Sequence, residues 1–315
     1  MPVKINDSLP ARKILESENI FVITEQRAAK QDIRPLRILV LNIMPTKIET
    51  ETQLLRLLGN SAIQVEVKLL QTASYLSKNT PTSHLLDFYQ VFEDVKGEFF
   101  DGLIITGAPV EQLDFEKVEY WQELCEIMEW AKTHVYSVLN ICWGACAALY
   151  YYYGIKKHPL EQKLSGVFSH CVAEPLHPLV RGFDDVFLAP HSRNTTVLRE
   201  DIEAHPDLKL LTYSDIAGVH IVSDIKGRSF FVTGHSEYDS TTLANEYFRD
   251  INRNLKPNIP CNYFPDDNPA KTPLNTWRSH ANLLFTNWIN LVYEGTPYDL
   301  TMLLGDENDW LMYYI

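Results

Sequence analysis

Residues 37–44 form a continuous apolar run that Pro45 closes. A run of this kind suits a parallel strand buried on both faces. Residues 50–58 place Leu54, Leu55, Leu57 and Leu58 at helical spacing, and Gly59-Asn60 stops the pattern. Further on, 63–70 predicts a second strand, 83–92 a helix, 102–107 a third buried strand that ends in a small-residue loop, and 115–132 a helix. An apolar run then leads into Cys142, and helix-like spacing resumes after it. Strands alternating with helices imply βαβ units, so the fold class is α/β, a mostly parallel sheet with helices on both faces.

The second half carries more strand-like segments, at 164–173, 185–189, 208–213, 219–223 and 229–233, with a hairpin turn across 224–228. Helices are expected over 241–254 and 276–293, the latter with Trp277, Leu284, Trp288 and Leu291 on one face. The segment 259–273 holds four prolines and reads as a structured loop. Tyr150 to Tyr153 is expected to be the buried end of the helix after Cys142. Residues 1–34 read as an N-terminal arm, 35–297 as the main domain and 298–315 as a C-terminal tail.

Composition narrows the function classes. The chain has 315 residues, 45% hydrophobic and 22% charged, with a formal net charge of −13. That balance describes a globular protein with room for a large core. It argues against a nucleic-acid partner, because such binding rests on phosphate neutralisation by Lys and Arg. No apolar run reaches the roughly 18 residues of a membrane span, and no signal-peptide core precedes residue 31. A cytoplasmic location without a membrane partner is therefore expected. The five cysteines do not form a disulfide framework. Cys142 and Cys146 could share a helix face, but no second ligand pair follows at zinc spacing, so no metal is expected.

Two short segments carry chemistry. In Val138-Leu139-Asn140-Ile141-Cys142-Trp143-Gly144-Ala145 an apolar strand meets a cysteine, and a helix begins. This is the sequence form of a nucleophile elbow, with the sulfur beside a helix N-terminus that favours negative charge. In Phe231-Val232-Thr233-Gly234-His235-Ser236-Glu237 a strand runs into a histidine and a glutamate two residues apart. In extended geometry those two side chains point to one side. Open α/β sheets place sites at strand C-terminal ends. Cys142, His235 and Glu237 then make a nucleophile, a base and the carboxylate that orients it. Each alone would pass as an ordinary core or surface residue; the combination is what points to covalent catalysis.

These residues lie among longer motifs: Asn42-Ile43-Met44-Pro45-Thr46-Lys47, Ile105-Thr106-Gly107-Ala108-Pro109-Val110-Glu111, Cys142-Trp143-Gly144, Lys163, Pro190-His191-Ser192-Arg193, Gly234-His235-Ser236-Glu237-Tyr238 and Arg249. Over nearly its whole length the chain resembles the homoserine O-acyltransferase family of methionine biosynthesis, of the amidotransferase-like type. The resemblance implies a class I glutamine amidotransferase-like, flavodoxin-like three-layer architecture. True amidotransferases of that class carry Gly-x-Cys-x-Gly, whereas Asn140 stands here in place of the first glycine. That departure argues against glutaminase activity.

The resemblance implies a ping-pong transfer in which Cys142 takes an acyl group from acyl-CoA and His235 then activates the hydroxyl of L-homoserine. It implies no permanently bound cofactor, and it suggests a homodimer. Each half-reaction passes through a tetrahedral oxyanion. The backbone N–H of Trp143, which follows the nucleophile, is the natural first donor, and Ala108 is assigned the second. The resemblance also assigns substrate contact to Lys163, Ser192 and Arg249. A guanidinium fork suits a carboxylate, although residue type alone would leave all three as solvated groups. Among such enzymes a glycine at the Glu111 position goes with succinyl-CoA and a glutamate with acetyl-CoA. The physics agrees, since two carboxylates about 4 Å apart repel by roughly 4 kcal/mol at an effective dielectric near 20. Acetyl-CoA is therefore the expected co-substrate. The alternatives are a homoserine O-succinyltransferase, a glutamine amidohydrolase subunit, and a non-catalytic binding module of the same fold.

Overall fold

The computed structural model describes residues 3–6, 8–18, 22–24, 34–75 and 79–305. In chain order the elements are β1 (Val3–Ile5), α1 (Ala11–Ser17), β2 (Val22–Thr24), β3 (Leu36–Leu41), α2 (Lys47–Gly59), β4 (Val65–Leu70), α3 (Thr82–Phe88), β5 (Tyr89–Gln90), α4 (Phe92–Val95) and β6 (Phe100–Ile105). There follow α5 (Trp121–His134), β7 (Val135–Ile141), α6 (Trp143–Tyr153), β8 (Lys157–Val172), β9 (Val186–Val197), α7 (Arg199–Ala204), β10 (Leu208–Ser214), β11 (Gly218–Asp224), β12 (Ser229–Val232), α8 (Thr242–Asn252) and α9 (Arg278–Gly295).

The chain divides into two compact units. The first holds the described residues within 1–109, 114–139 and 288–315. Its strand order is β2-β1-β4-β3-β6-β7, with β5 beside β4. The pairings β1–β2, β1–β4, β3–β4, β3–β6 and β4–β5 are all parallel. Ile38, Leu39, Val40, Leu41, Leu103 and Ile104 are fully buried, as two-face burial of a parallel sheet requires. The second unit comprises 110–113 and 140–287, with order β12-β11-β10-β8-β9 and antiparallel pairing throughout. The α/β class and the parallel first half are as the sequence leads one to expect.

Several boundaries differ from expectation, for physical reasons. The helix expected over 83–92 stops at Phe88, because Tyr89 and Gln90 leave it to pair with Leu69 and Leu70. The Tyr89 hydroxyl then donates to the buried Glu51 Oε1 at 2.6 Å and accepts from Asn42 Nδ2 at 2.9 Å. Tertiary pairing overrides local helical spacing here. The helix expected over 115–132 is a short 3₁₀ turn, Phe115–Lys117, followed by α5 from Trp121. The turn buries Phe115, and the bend after it buries Val118 and Tyr120. Tyr150 to Tyr153 are only half-buried, and α6 ends on Gly154 at φ +68°, a left-handed cap that glycine adopts without strain. In the stretch expected to be an arm, the described residues supply β1, α1 and β2. In the tail, 306–315 lie outside the described residues. No helix among the described residues is long and apolar enough to cross a membrane.

Candidate active site

β7 ends at Ile141, and Cys142 turns the chain into α6. The Cys142 backbone sits at φ 51° and ψ −113°. For a non-glycine residue such geometry costs about 1–3 kcal/mol and persists only where neighbours hold it. Here the Cys142 N–H donates to Val232 O at 2.7 Å, and its carbonyl accepts from Cys146 N–H at 3.1 Å. The elbow read from the sequence is thus present in the backbone. Asn140 fits at the position where amidotransferases have glycine because its Nδ2 donates to Phe230 O at 3.1 Å. Trp143 opens α6, whose first-turn N–H groups point back toward the elbow end. Ala108 is buried after β6 in the first unit.

β12 delivers His235. Its N–H donates to Pro190 O at 2.9 Å, and Gly234 before it packs so closely that a Cβ would meet His220 and Pro190 O at 3.0 Å. His235 Nδ1 lies 2.7 Å from Glu237 Oε1, which leaves the other ring nitrogen for the hydrogen bond with Cys142. His235 is 3% exposed, and burial alone would lower its pKa. The charges of Cys142 and Glu237, with the hydrogen bonds to both, outweigh burial and hold it well above the usual histidine value. A buried imidazole held between a cysteine sulfur and a carboxylate is the arrangement a cysteine nucleophile requires. The sequence-derived trio is therefore assembled.

Tyr238 stacks on the imidazole, with ring centroids 4.0 Å apart and planes 16° apart. Burial, then Glu246, then Cys142 and Glu237 raise its phenol well above the ordinary value, so it stays a neutral donor. Its hydroxyl donates to Glu246 Oε1 at 3.0 Å. Glu246 also accepts from Ser192 Oγ and, at 3.2 Å, from Lys163 Nζ. Lys163 reaches Asp250 Oδ2 at 3.4 Å, and Arg249 pairs with Asp250 Oδ1 at 2.9 Å. Burial would raise Asp250, but Arg249 and Lys163 hold it below the usual carboxylate range. Lys163, Ser192 and Arg249 thus belong to one polar cluster, linked through Tyr238 to the imidazole. Sequence reading missed Glu246 and Asp250. The available signal was Glu246, Arg249 and Asp250 three and four residues apart, hence on one face of α8.

Glu111 is not a freely solvated loop carboxylate. Asn194 donates to both of its oxygens, from the backbone N–H at 2.9 Å and from Nδ2 at 2.5 Å. Lys157 Nζ donates to the Glu111 carbonyl at 2.6 Å. The Glu111 charge acts on Cys146, one helical turn after Cys142.

Among the described residues, His170, His191 and His220 are fully buried and have ring nitrogens within 4.8 Å of one another. Their hydrogen bonds disfavour a cation. His170 Nδ1 faces Phe168 O at 2.9 Å and so carries the proton. His191 Nδ1 accepts from Arg193 Nε at 3.4 Å, so His191 Nε2–H donates to His170 Nε2 at 2.9 Å. His191 then has no lone pair for a metal. Burial, with the Arg193 charge adding to it, lowers His170 to about 4. The unfolded chain takes up a proton near pH 6.5 that the folded chain refuses, so stability is lost as pH falls from about 6.5 to about 4, by roughly 3 kcal/mol for this residue. Melting temperature should drop across that window, and His170→Gln should flatten the drop. Parallel pH profiles for the two proteins would contradict this.

The chain is similar over most of its length to proteins of one family. The family model described as homoserine O-succinyltransferase matches residues 2–298. A homoserine O-acetyltransferase of Acetivibrio thermocellus is 59% identical over 304 residues, covering 96% of this chain and 100% of the relative. One of Geobacillus kaustophilus is 59% identical over 300 residues, covering 95% of this chain and 99% of the relative. Among solved structures, a glutamine amidotransferase from Thermotoga maritima aligns with a TM-score of 0.54 at 11% identity, over 82% of this chain and 99% of that one. At that identity the likeness concerns the fold alone, which is the amidotransferase-like architecture expected. With a family model spanning nearly its full length, this chain belongs to the homoserine O-succinyltransferase family.

Proposed function

We propose that this protein is a homoserine O-acetyltransferase that carries acetyl from acetyl-CoA to the hydroxyl of L-homoserine through a thioester on Cys142. The observation that carries the reading is the strained elbow cysteine hydrogen-bonded to a buried imidazole that Glu237 orients. Full-length relatives named homoserine O-acetyltransferase support the acyl acceptor and the donor. A cytoplasmic homodimer in methionine biosynthesis belongs to the same reading.

In the first half-reaction the Cys142 sulfur attacks the thioester carbon of acetyl-CoA. The oxyanion is held by the Trp143 N–H, with the Ala108 N–H assigned as the second donor. The carbon–sulfur bond to coenzyme A breaks, and His235 returns a proton to the leaving thiolate. One thioester replaces another, so the step is close to thermoneutral. Homoserine then enters. Its ammonium suits Glu246 and its carboxylate suits Arg249, with Lys163 and Ser192 bracing Glu246. His235 removes the hydroxyl proton, the oxygen attacks the acetyl carbon, and the Cys142 thiolate leaves. Splitting one acyl transfer into two lowers each barrier.

Release of coenzyme A thiol that depends on homoserine tests this reading, with acetyl-CoA and succinyl-CoA compared. Turnover of glutamine instead would favour the amidohydrolase. The family model's name keeps succinyl transfer as the second reading. Glu111 decides between them: its fixed carboxylate repels a donor carboxylate by roughly 4 kcal/mol at about 4 Å. Glu111→Gly should shift the acetyl-to-succinyl ratio of kcat/KM toward succinyl by about a thousandfold. An unchanged ratio would overturn the assignment of acetyl.

A further inference from the structure

Glu111 is anchored at both carboxylate oxygens by a single residue. Asn194 sends its N–H to Oε2 and its Nδ2 to Oε1, at 2.9 and 2.5 Å. Asn194 lies on β9 next to Arg193, a residue that is 3% exposed. Arg193 donates to Thr195 O at 2.8 Å, to Ala217 O and to the His191 ring. None of these partners is a carboxylate, so its charge falls on Glu111 and on the elbow cysteines Cys142 and Cys146. Two converging N–H donors beside a buried cation make a receptor for a carboxylate. In this chain the carboxylate that fills it is Glu111 itself.

We propose that Asn194, supported by Arg193, is a built-in receptor for the terminal carboxylate of a dicarboxylic acyl donor, and that Glu111 closes it from within. This deepens the donor reading above and rests on it. Glu111 then excludes a succinyl group in two ways, by its charge and by occupying the donors that would receive that group. Removing the Glu111 side chain does more than make room, because it exposes a site with a preference for negative charge.

The discriminating probe is butyryl-CoA, whose acyl chain is as long as succinyl but ends in a methyl group. In Glu111→Gly, thiol release in the first half-reaction should be at least tenfold more efficient with succinyl-CoA than with butyryl-CoA. Adding Asn194→Ala should cut that succinyl-to-butyryl ratio by about tenfold, the usual worth of a hydrogen bond to a charged group. Asn194→Asp in the same background should cut it further, because the receptor would then carry the donor's own sign. Both ratios compare two donors on one protein, so a loss of folded material cancels. If Glu111→Gly admits both donors equally, or if the ratio ignores Asn194, Glu111 still gates the donor but the receptor is overturned. If Glu111→Gly admits neither, the receptor and the donor reading fall together.

Discussion

Cys142→Ala should abolish acetyl transfer, with a loss in kcat on the order of 10⁶-fold. The size follows from the role: without the sulfur no acyl-enzyme forms, and His235 has nothing to activate in the first half-reaction. The substitution should leave the fold intact, because alanine differs by one heavy atom and loses only the side-chain hydrogen bond to His235. The strain belongs to the backbone, at φ 51°, and alanine inherits it. A melting curve like that of the parent, together with lost thiol release, is the expected pair of results. Residual turnover above about one part in a thousand would mean that another group carries the acyl chain.

Glu237→Gln should cost about 10⁴-fold in kcat, the scale of losing the carboxylate that orients a catalytic histidine. Glu237 Oε1 sits 2.7 Å from His235 Nδ1 in a buried environment. A glutamine amide keeps the shape, but it removes the charge and can offer Nδ1 a donor in place of an acceptor. The imidazole proton would then sit on the nitrogen that faces the sulfur, where a base needs a lone pair. The charge loss acts in the same direction. Burial lowers the His235 pKa, and without Glu237 only Cys142 opposes it. The pH–rate profile should therefore move to lower pH along with the drop in rate. A loss under tenfold with an unmoved profile would contradict the orienting role of Glu237.

Much of this site was legible in the sequence because its signals are local. An apolar strand meeting Cys142 and a small-residue helix start describe an elbow, and the φ of Cys142 bears that out. His235 and Glu237 are two residues apart and hydrogen-bond directly. The remaining features depend on distant partners. Glu246 joins Lys163, Ser192 and Tyr238, which lie 83, 54 and 8 residues away in the chain. Asn194 meets Glu111 across 83 residues. β9 ran well past its expected end at residue 189, through His191, Ser192, Arg193 and Asn194, because pairing with β8 places Gly166, Ser165 and Leu164 opposite the first three. A hydropathy pattern misses such a strand, since its buried polar groups are satisfied by internal hydrogen bonds rather than by apolar contact. Tyr89 is the converse case, a residue at helical spacing drawn out by a sheet edge and a buried glutamate.

Mass spectrometry of the protein after brief incubation with acetyl-CoA reads the acyl-enzyme itself. One added acetyl group should appear on the peptide that carries Cys142 and be removed on addition of L-homoserine as O-acetylhomoserine appears. An unmodified Cys142 under conditions of homoserine-dependent thiol release, or an acetyl group that homoserine does not remove, would contradict transfer through a Cys142 thioester.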